Sequence, residues 1–150
     1  MTTSIKVRHN IEVAHRLFES PGKCENIHGH SMWVELEIFG VLDSNGMLSG
    51  LDFGEVKKRF RGYLDSSYDH HLILNTKDPW SKEVSYDGES FQQLPGVVEL
   101  LAGDPTTENI AKDIAEWASN TFVGPELLDP YQIKVTVWET AVNAATWETT

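Results

Sequence analysis

The chain reads as an α+β domain: an antiparallel four-stranded sheet with two helices on one face, in the order strand, strand, helix, helix, strand, strand. Three observations predict this. Apolar and polar residues alternate over 4–15, 29–41 and 131–140, the period of a strand with one buried face. Two other stretches, near 52–64 and 106–122, repeat apolar residues at helical spacing. Two strand pairs with an amphipathic helix pair form a domain only when the helices cover one face of the sheet.

Taken in order, Ile5, Val7, Ile11 and Val13 share one face of the first strand, and His15 ends it. The run Glu19-Ser-Pro-Gly-Lys-Cys24 is turn chemistry, so the first two strands are expected to form a hairpin with a long loop. On the second strand Met32, Val34, Leu36 and Ile38 share a face that also carries His28 and His30. Asp43-Ser-Asn-Gly46 marks a turn. Asp52, with Glu55 three residues on, has the pattern of a capping box for the first helix, whose stripe is Phe53, Val56, Phe60, Tyr63 and Leu64. Residues 68–75 suggest a short extended piece. Residues 76–104, rich in Pro, Gly, Ser and acids, read as a loop excursion with a short apolar run at Val97–Leu101. Thr106 or Thr107 can cap the second helix, which buries Ile110, Ile114, Trp117, Ala118 and Phe122. Pro125 and Pro130 bracket its exit. Ile133, Val135 and Val137 then share a strand face that Glu139 continues, and a last extended piece is expected over 142–148.

At 150 residues the chain fits a single domain, 1–150, that buries about two-thirds of its unfolded surface. A net charge of -11 argues against nucleic acid as the partner, because phosphate binding needs clustered Lys and Arg. Arg16 and Lys23 are the cations nearest the histidines in sequence. No run is long and apolar enough to span a membrane, and no charged-then-apolar leader opens the chain, so the expected location is the cytoplasm. One cysteine excludes an internal disulfide. The five tryptophans are most simply packing or interface residues.

The chemistry centres on Cys24-Glu-Asn-Ile-His28-Gly-His30. Histidines separated by one residue project to the same side of a strand and can occupy two corners of a tetrahedral zinc site. A catalytic zinc needs a third ligand and an open position. His15 has the right parity for that ligand, and His9, on the same face, is its rival. Cys24, across a short loop, is placed to be a reactive thiol beside the metal.

Val13-Ala-His15, Cys24-x-x-x-His28-Gly-His30, Asp52-Phe53 with Lys57, Asp69-His70, Pro105-Thr-x-Glu-Asn109 and Glu139-Thr140 follow one another across most of the chain. Together they resemble the superfamily of 6-pyruvoyl- and 6-carboxy-tetrahydropterin synthases. The resemblance implies the tunnelling fold, a Zn2+ held by His15, His28 and His30, and commonly a homohexamer of two stacked trimers with sites at subunit boundaries. The three residues between Cys24 and His28 are similar to the carboxy-type branch. That branch converts 7,8-dihydroneopterin triphosphate to 6-carboxy-5,6,7,8-tetrahydropterin, acetaldehyde and triphosphate, early in 7-deazapurine (queuosine-type) biosynthesis. The resemblance also implies Cys24 as base, His70 oriented by Asp69 as proton shuttle, Glu139 as pterin anchor and relay, and Glu108 as a substrate contact. Ile11 stands where the family often has an aromatic residue. The stretch after Asp69-His70 is one residue longer than usual, which leaves His71 as an alternative shuttle. Two other readings stay open: a pyruvoyl-type synthase that releases no acetaldehyde, and a non-catalytic zinc-binding homologue.

Overall fold

The computed structural model describes residues 3–48, 50–86, 89–92, 98–123 and 131–149. Its strands are β1 (Thr3–His15), β2 (His28–Gly40), β3 (His71–Asn75), β4 (Glu83–Tyr86), β5 (Glu89–Gln92), β6 (Val98–Leu101), β7 (Gln132–Trp138) and β8 (Ala144–Glu148). Its helices are α1 (Phe53–Ser67) and α2 (Thr107–Phe122).

The expected hairpin forms. β1 and β2 pair antiparallel without a break from Thr3 opposite Gly40 to His15 opposite His28. β7 pairs antiparallel with β2, and β8 with β7. The four-stranded antiparallel sheet, however, is corrected by the structure. Among the described residues the sheet has six strands in the order β6-β3-β1-β2-β7-β8, and it is mixed. β3 lies parallel to β1 and β6 parallel to β3. Parallel neighbours need a long crossover, which α1 supplies for the first pair and residues 76–97 for the second. The loop excursion expected over 76–104 is therefore also corrected. It contains a 3-10 turn at Pro79–Ser81, the β4–β5 hairpin and β6. Short, continuously apolar runs such as 72–74 carry no periodicity to announce a strand. Val97, Pro125 and Pro130 lie outside the described residues.

Asp52 caps α1 by accepting from the Glu55 N–H at 3.1 Å, while the Glu55 carboxylate turns forward to Arg59 at 2.9 Å, so the box is half made. Thr106 caps α2, accepting from the Asn109 N–H at 3.1 Å. Val56, Phe60 and Leu64 are buried, but Phe53, at the first helical position, is exposed. The two helices lie side by side over one face of the sheet, α1 against β1 and α2 against β7 and β8. The Tyr63 ring stacks on Trp117 with centroids 4.1 Å apart, and Tyr63 and Tyr68 both donate hydroxyls to Asp113, at 2.9 and 2.5 Å. Desolvation, reinforced by the Asp113 charge, pushes both phenol pKa values up, so they remain donors. Ile11, Met32, Leu36, Ile133 and Val135 are fully buried beneath the helices. The opposite face is solvent-facing, with Lys6 bridging Glu35 and Glu37, and Arg8 over Trp33. No helix among the described residues is long and apolar enough to cross a membrane.

Candidate metal centre and active site

The β1–β2 register puts His15 opposite His28, and strand parity adds His30 on the same side. Gly29 makes the close crossing possible: a Cβ there would lie 3.1 Å from the Val13 carbonyl oxygen. One donor atom from each of His15, His28 and His30 falls within 4.8 Å of the other two. His9 does not join them. It sits six residues back along β1, and its Nε2 is 2.7 Å from Asp65 on α1.

Hydrogen bonds fix the tautomers. His15 donates from Nδ1 to the Pro105 carbonyl at 2.7 Å, and His28 from Nδ1 to the Asn26 carbonyl at 2.8 Å. A carbonyl only accepts, so both Nε2 atoms keep their lone pairs, the arrangement of a ligating imidazole with an oriented outer nitrogen. His15 Nε2 and His30 Nε2 are buried and have no hydrogen-bond partner. Buried polar atoms are rarely left so, because each costs desolvation free energy. Burial also holds the His15 pKa below the ordinary imidazole value, against the opposing bond to Pro105, so the ring is neutral. The buried neutral ring of His15, the Nε2 atoms of His15 and His28 turned away from their carbonyl partners, the unpartnered Nε2 of His30 and the convergence of all three make the histidines fit for a metal ion.

A cavity of about 370 Å³ opens beside them, lined by His15, His28, Cys24, Thr107, Glu108 and Glu139 among others. Cys24 sits half-buried on a single 3-10 turn (Lys23–Glu25), entered through Gly22 at φ 126°, a left-handed conformation that favours glycine. The Leu17 N–H bonds the Cys24 carbonyl at 2.8 Å and closes the loop. Glu139 follows β7 in the tight turn to β8, its N–H bonded to the Asn143 carbonyl at 3.0 Å. Its Oε1 lies 3.8 Å from His30 Nε2, and its Oε2 accepts a short hydrogen bond from the Thr107 hydroxyl. Glu108 lines the same cavity from the first turn of α2.

Asp69 and His70 are elsewhere. His70 lines a second cavity, of about 520 Å³, with Glu12, Gly29, His30 and His71, and this cavity shares no lining residue with the first. His70 is at φ 60°, in the turn between α1 and β3, with its side chain 78% exposed. Asp69 anchors that turn, accepting from the Glu12 N–H at 2.8 Å and from His70 Nδ1 at 2.8 Å. Desolvation pushes the Asp69 pKa up, but those two bonds outweigh it and leave the carboxylate below its usual range. With Nδ1 donating, His70 Nε2 is free to accept a proton. His71 points its Nδ1 at the Asp69 carbonyl instead, 2.7 Å away.

Arg16 does not offer a free charge to the cavity: it is buried, and both its Nε and Nη2 donate to Asp78, at 2.6 and 2.7 Å. Thr107 and Pro105, which hold Glu139 and His15, had only a helix-start signature in the sequence. The partnership of Thr107 with a strand-end acid 32 residues away leaves no local signal.

The family model described as 6-pyruvoyl tetrahydropterin synthase matches residues 4–150. The 6-carboxy-5,6,7,8-tetrahydropterin synthase of Rickettsia bellii is 35% identical over 106 residues, 69% of this chain and 71% of that protein. The protein of the same name from Aquifex aeolicus is 28% identical over 130 residues, 84% of this chain and 76% of its own length. Among solved structures, a catalytic-residue mutant of Plasmodium vivax 6-pyruvoyltetrahydropterin synthase superposes with a TM-score of 0.77 at 19% identity, covering 99% of this chain and 98% of that one. The Caenorhabditis elegans 6-pyruvoyl tetrahydropterin synthase gives 0.67 at 24%, covering 100% and 97%. At such identities the structures speak for the fold alone, the two helices over a curled mixed sheet. Family match and curated relatives together establish that the chain belongs to the 6-pyruvoyl tetrahydropterin synthase family.

Proposed function

We propose that the protein is a zinc-dependent 6-carboxy-5,6,7,8-tetrahydropterin synthase, acting on 7,8-dihydroneopterin triphosphate and releasing acetaldehyde and triphosphate, at the entry to 7-deazapurine biosynthesis. The observation that carries this reading is the three-histidine cluster with two orphaned Nε2 atoms, two of whose members, His15 and His28, line one cavity with Cys24 and Glu139. The names of the curated relatives favour the carboxy-type product.

In this reading His15, His28 and His30 hold Zn2+, which when bound supplies Lewis-acid polarisation of the substrate's side-chain oxygens. Cys24 takes a proton from the substrate side chain; its thiol is half-buried and lines the same cavity as His15 and His28. Glu139 anchors the pterin. A carboxylate accepts in parallel from a ring N–H and an exocyclic amino group, and the Thr107 hydroxyl fixes its rotamer. Glu108 contacts the substrate from the helix start. Asp69 keeps His70 in the tautomer whose Nε2 shuttles protons. His70 is exposed and lines a separate cavity, so it is read as serving the cavity of a neighbouring copy in a homohexamer of two trimers.

The test is incubation of zinc-loaded protein with 7,8-dihydroneopterin triphosphate, scoring acetaldehyde and pterin together. Acetaldehyde with a 6-carboxy pterin is expected. Triphosphate release with a 6-pyruvoyl product and no acetaldehyde overturns the carboxy assignment, and absence of turnover overturns the enzyme.

A further inference from the structure

The ends of the excursion at 76–104 converge on the loop that carries Cys24. At one end the Asp78 side chain is fully buried and takes both forks of Arg16, the residue after His15. The same guanidinium lies 3.9 Å over the Trp80 ring, with Nη1 3.5 Å from the Glu25 carbonyl, one residue beyond Cys24. Asp78 is itself held, accepting from the Trp80 N–H at 2.8 Å. At the other end Asp104, also buried, accepts from the Glu19 N–H at 2.9 Å and is 3.4 Å from the Ser20 hydroxyl. Asn75 joins the two. Its amide donates to Asp104 at 3.1 Å, its side-chain oxygen accepts from Lys77 N–H at 3.0 Å, and its carbonyl accepts from Asp78 N–H at 2.9 Å.

We propose that Asp78 and Asp104, with Arg16, are positioning residues that clamp the loop over residues 16–25 and thereby hold Cys24 at the histidine cluster. The proposal rests on the reading of Cys24 as the base. A buried ion pair adds little net stability over apolar side chains of the same volume, so its distinctive contribution is orientation. Arg16 suits that use, since its planar fork fixes direction as well as distance. Leu17 transmits the constraint through its bond to the Cys24 carbonyl. The excursion is then part of the reaction apparatus although none of its described residues lines the first cavity.

The experiment compares R16K, D104N and the apolar pair R16M/D78L with the parent, all loaded with zinc. Bound zinc, melting temperature, KM, kcat and the rate of Cys24 alkylation by iodoacetamide are measured on each. R16K keeps the charge and loses the fork. The clamp predicts stoichiometric zinc, KM within about twofold and kcat lowered about 10- to 100-fold, the cost of roughly 1 Å of misplacement. It also predicts that alkylation in R16K and D104N accelerates as the loop loosens. In R16M/D78L folding is restored while kcat stays low; a double variant with parental kcat marks a merely structural pair and overturns the proposal. Unchanged alkylation in both R16K and D104N overturns it as well, whatever the role of Cys24. Parental turnover by Cys24→Ala instead overturns the base assignment, a separate failure that alkylation rates do not share.

Discussion

Replacing Glu139 by Gln isolates what the strand-end carboxylate does. The exchange conserves shape, and its consequences follow from the present bonds. Oε2 is committed to the Thr107 hydroxyl, a donor, so the amide of the variant keeps its carbonyl there. The NH2 then occupies the Oε1 position, which faces the cavity and lies 3.8 Å from His30 Nε2. A pterin edge presents donors, so two charge-assisted bonds become one weakened contact and one donor facing a donor. Each charge-assisted bond contributes about 1.5–3 kcal/mol, and a net loss of about 2–4 kcal/mol corresponds to roughly 30- to 1000-fold in kcat/KM. On the proposed function the pterin ring is held alike before and during the chemistry, so most of the loss falls on KM. Steady-state kinetics on variant and parent, with metal content and melting temperature matched, provide the assay. A KM within about twofold of the parent at full metal occupancy refutes Glu139 as the anchor.

Other consequences are simpler to state. His30→Ala removes one of the three converging donors, and metal affinity should fall by more than the roughly 100-fold that loss of an outer-shell partner alone can cause; chelator competition giving parental affinity would sink the cluster as the metal site. His15, whose folded pKa is depressed below 6.5 chiefly by burial, binds fewer protons folded than unfolded between the two values, so stability rises with pH there. The metal-free protein should therefore lose melting temperature as pH falls from above 6.5 through the folded-state value, and a flat profile across that window contradicts the neutral buried ring. Tyr68→Phe leaves the ring packing intact but deletes a fully buried donor 2.5 Å from Asp113, costing about 1.5–3 kcal/mol in denaturant unfolding. A change under about 0.5 kcal/mol would show that Tyr63 satisfies Asp113 alone.

The three-histidine cluster was legible because its members sit on strands. Parity put His28 and His30 on one face and placed His15 and His9 together on another. Choosing between the latter two needed the register, which sets His15 opposite His28 and leaves His9 for Asp65. The outer partners were not legible, since the Pro105 carbonyl that orients His15 is 90 residues away. The helices were readable from caps and stripes. β3 and β6 were harder, because four or five residues show no period and parallel pairing depends on crossovers that local sequence does not encode.

Cys24 and Asp69–His70 differ from the histidines in one physical respect: they sit on turns. A turn has no repeat to project its side chains, and its direction is fixed by whatever tertiary bonds reach it. For Cys24 these come from Leu17, Arg16 and, through Glu19, Asp104; for Asp69 and His70 they come from the Glu12 backbone. Each turn is thus aimed by a different part of the chain, and the two end in separate cavities although the sequence motifs name them as one set. On the proposed function both turns act on one substrate, and the proposed homohexamer is what would bring the His70 of one copy to the Cys24 cavity of another. In that proposal the outward-facing His70 and the partly buried three-histidine cluster are complementary parts, and the bonds that hold each turn within the single chain, from Glu12 to Asp69 and from Leu17 to Cys24, set both in place without a partner.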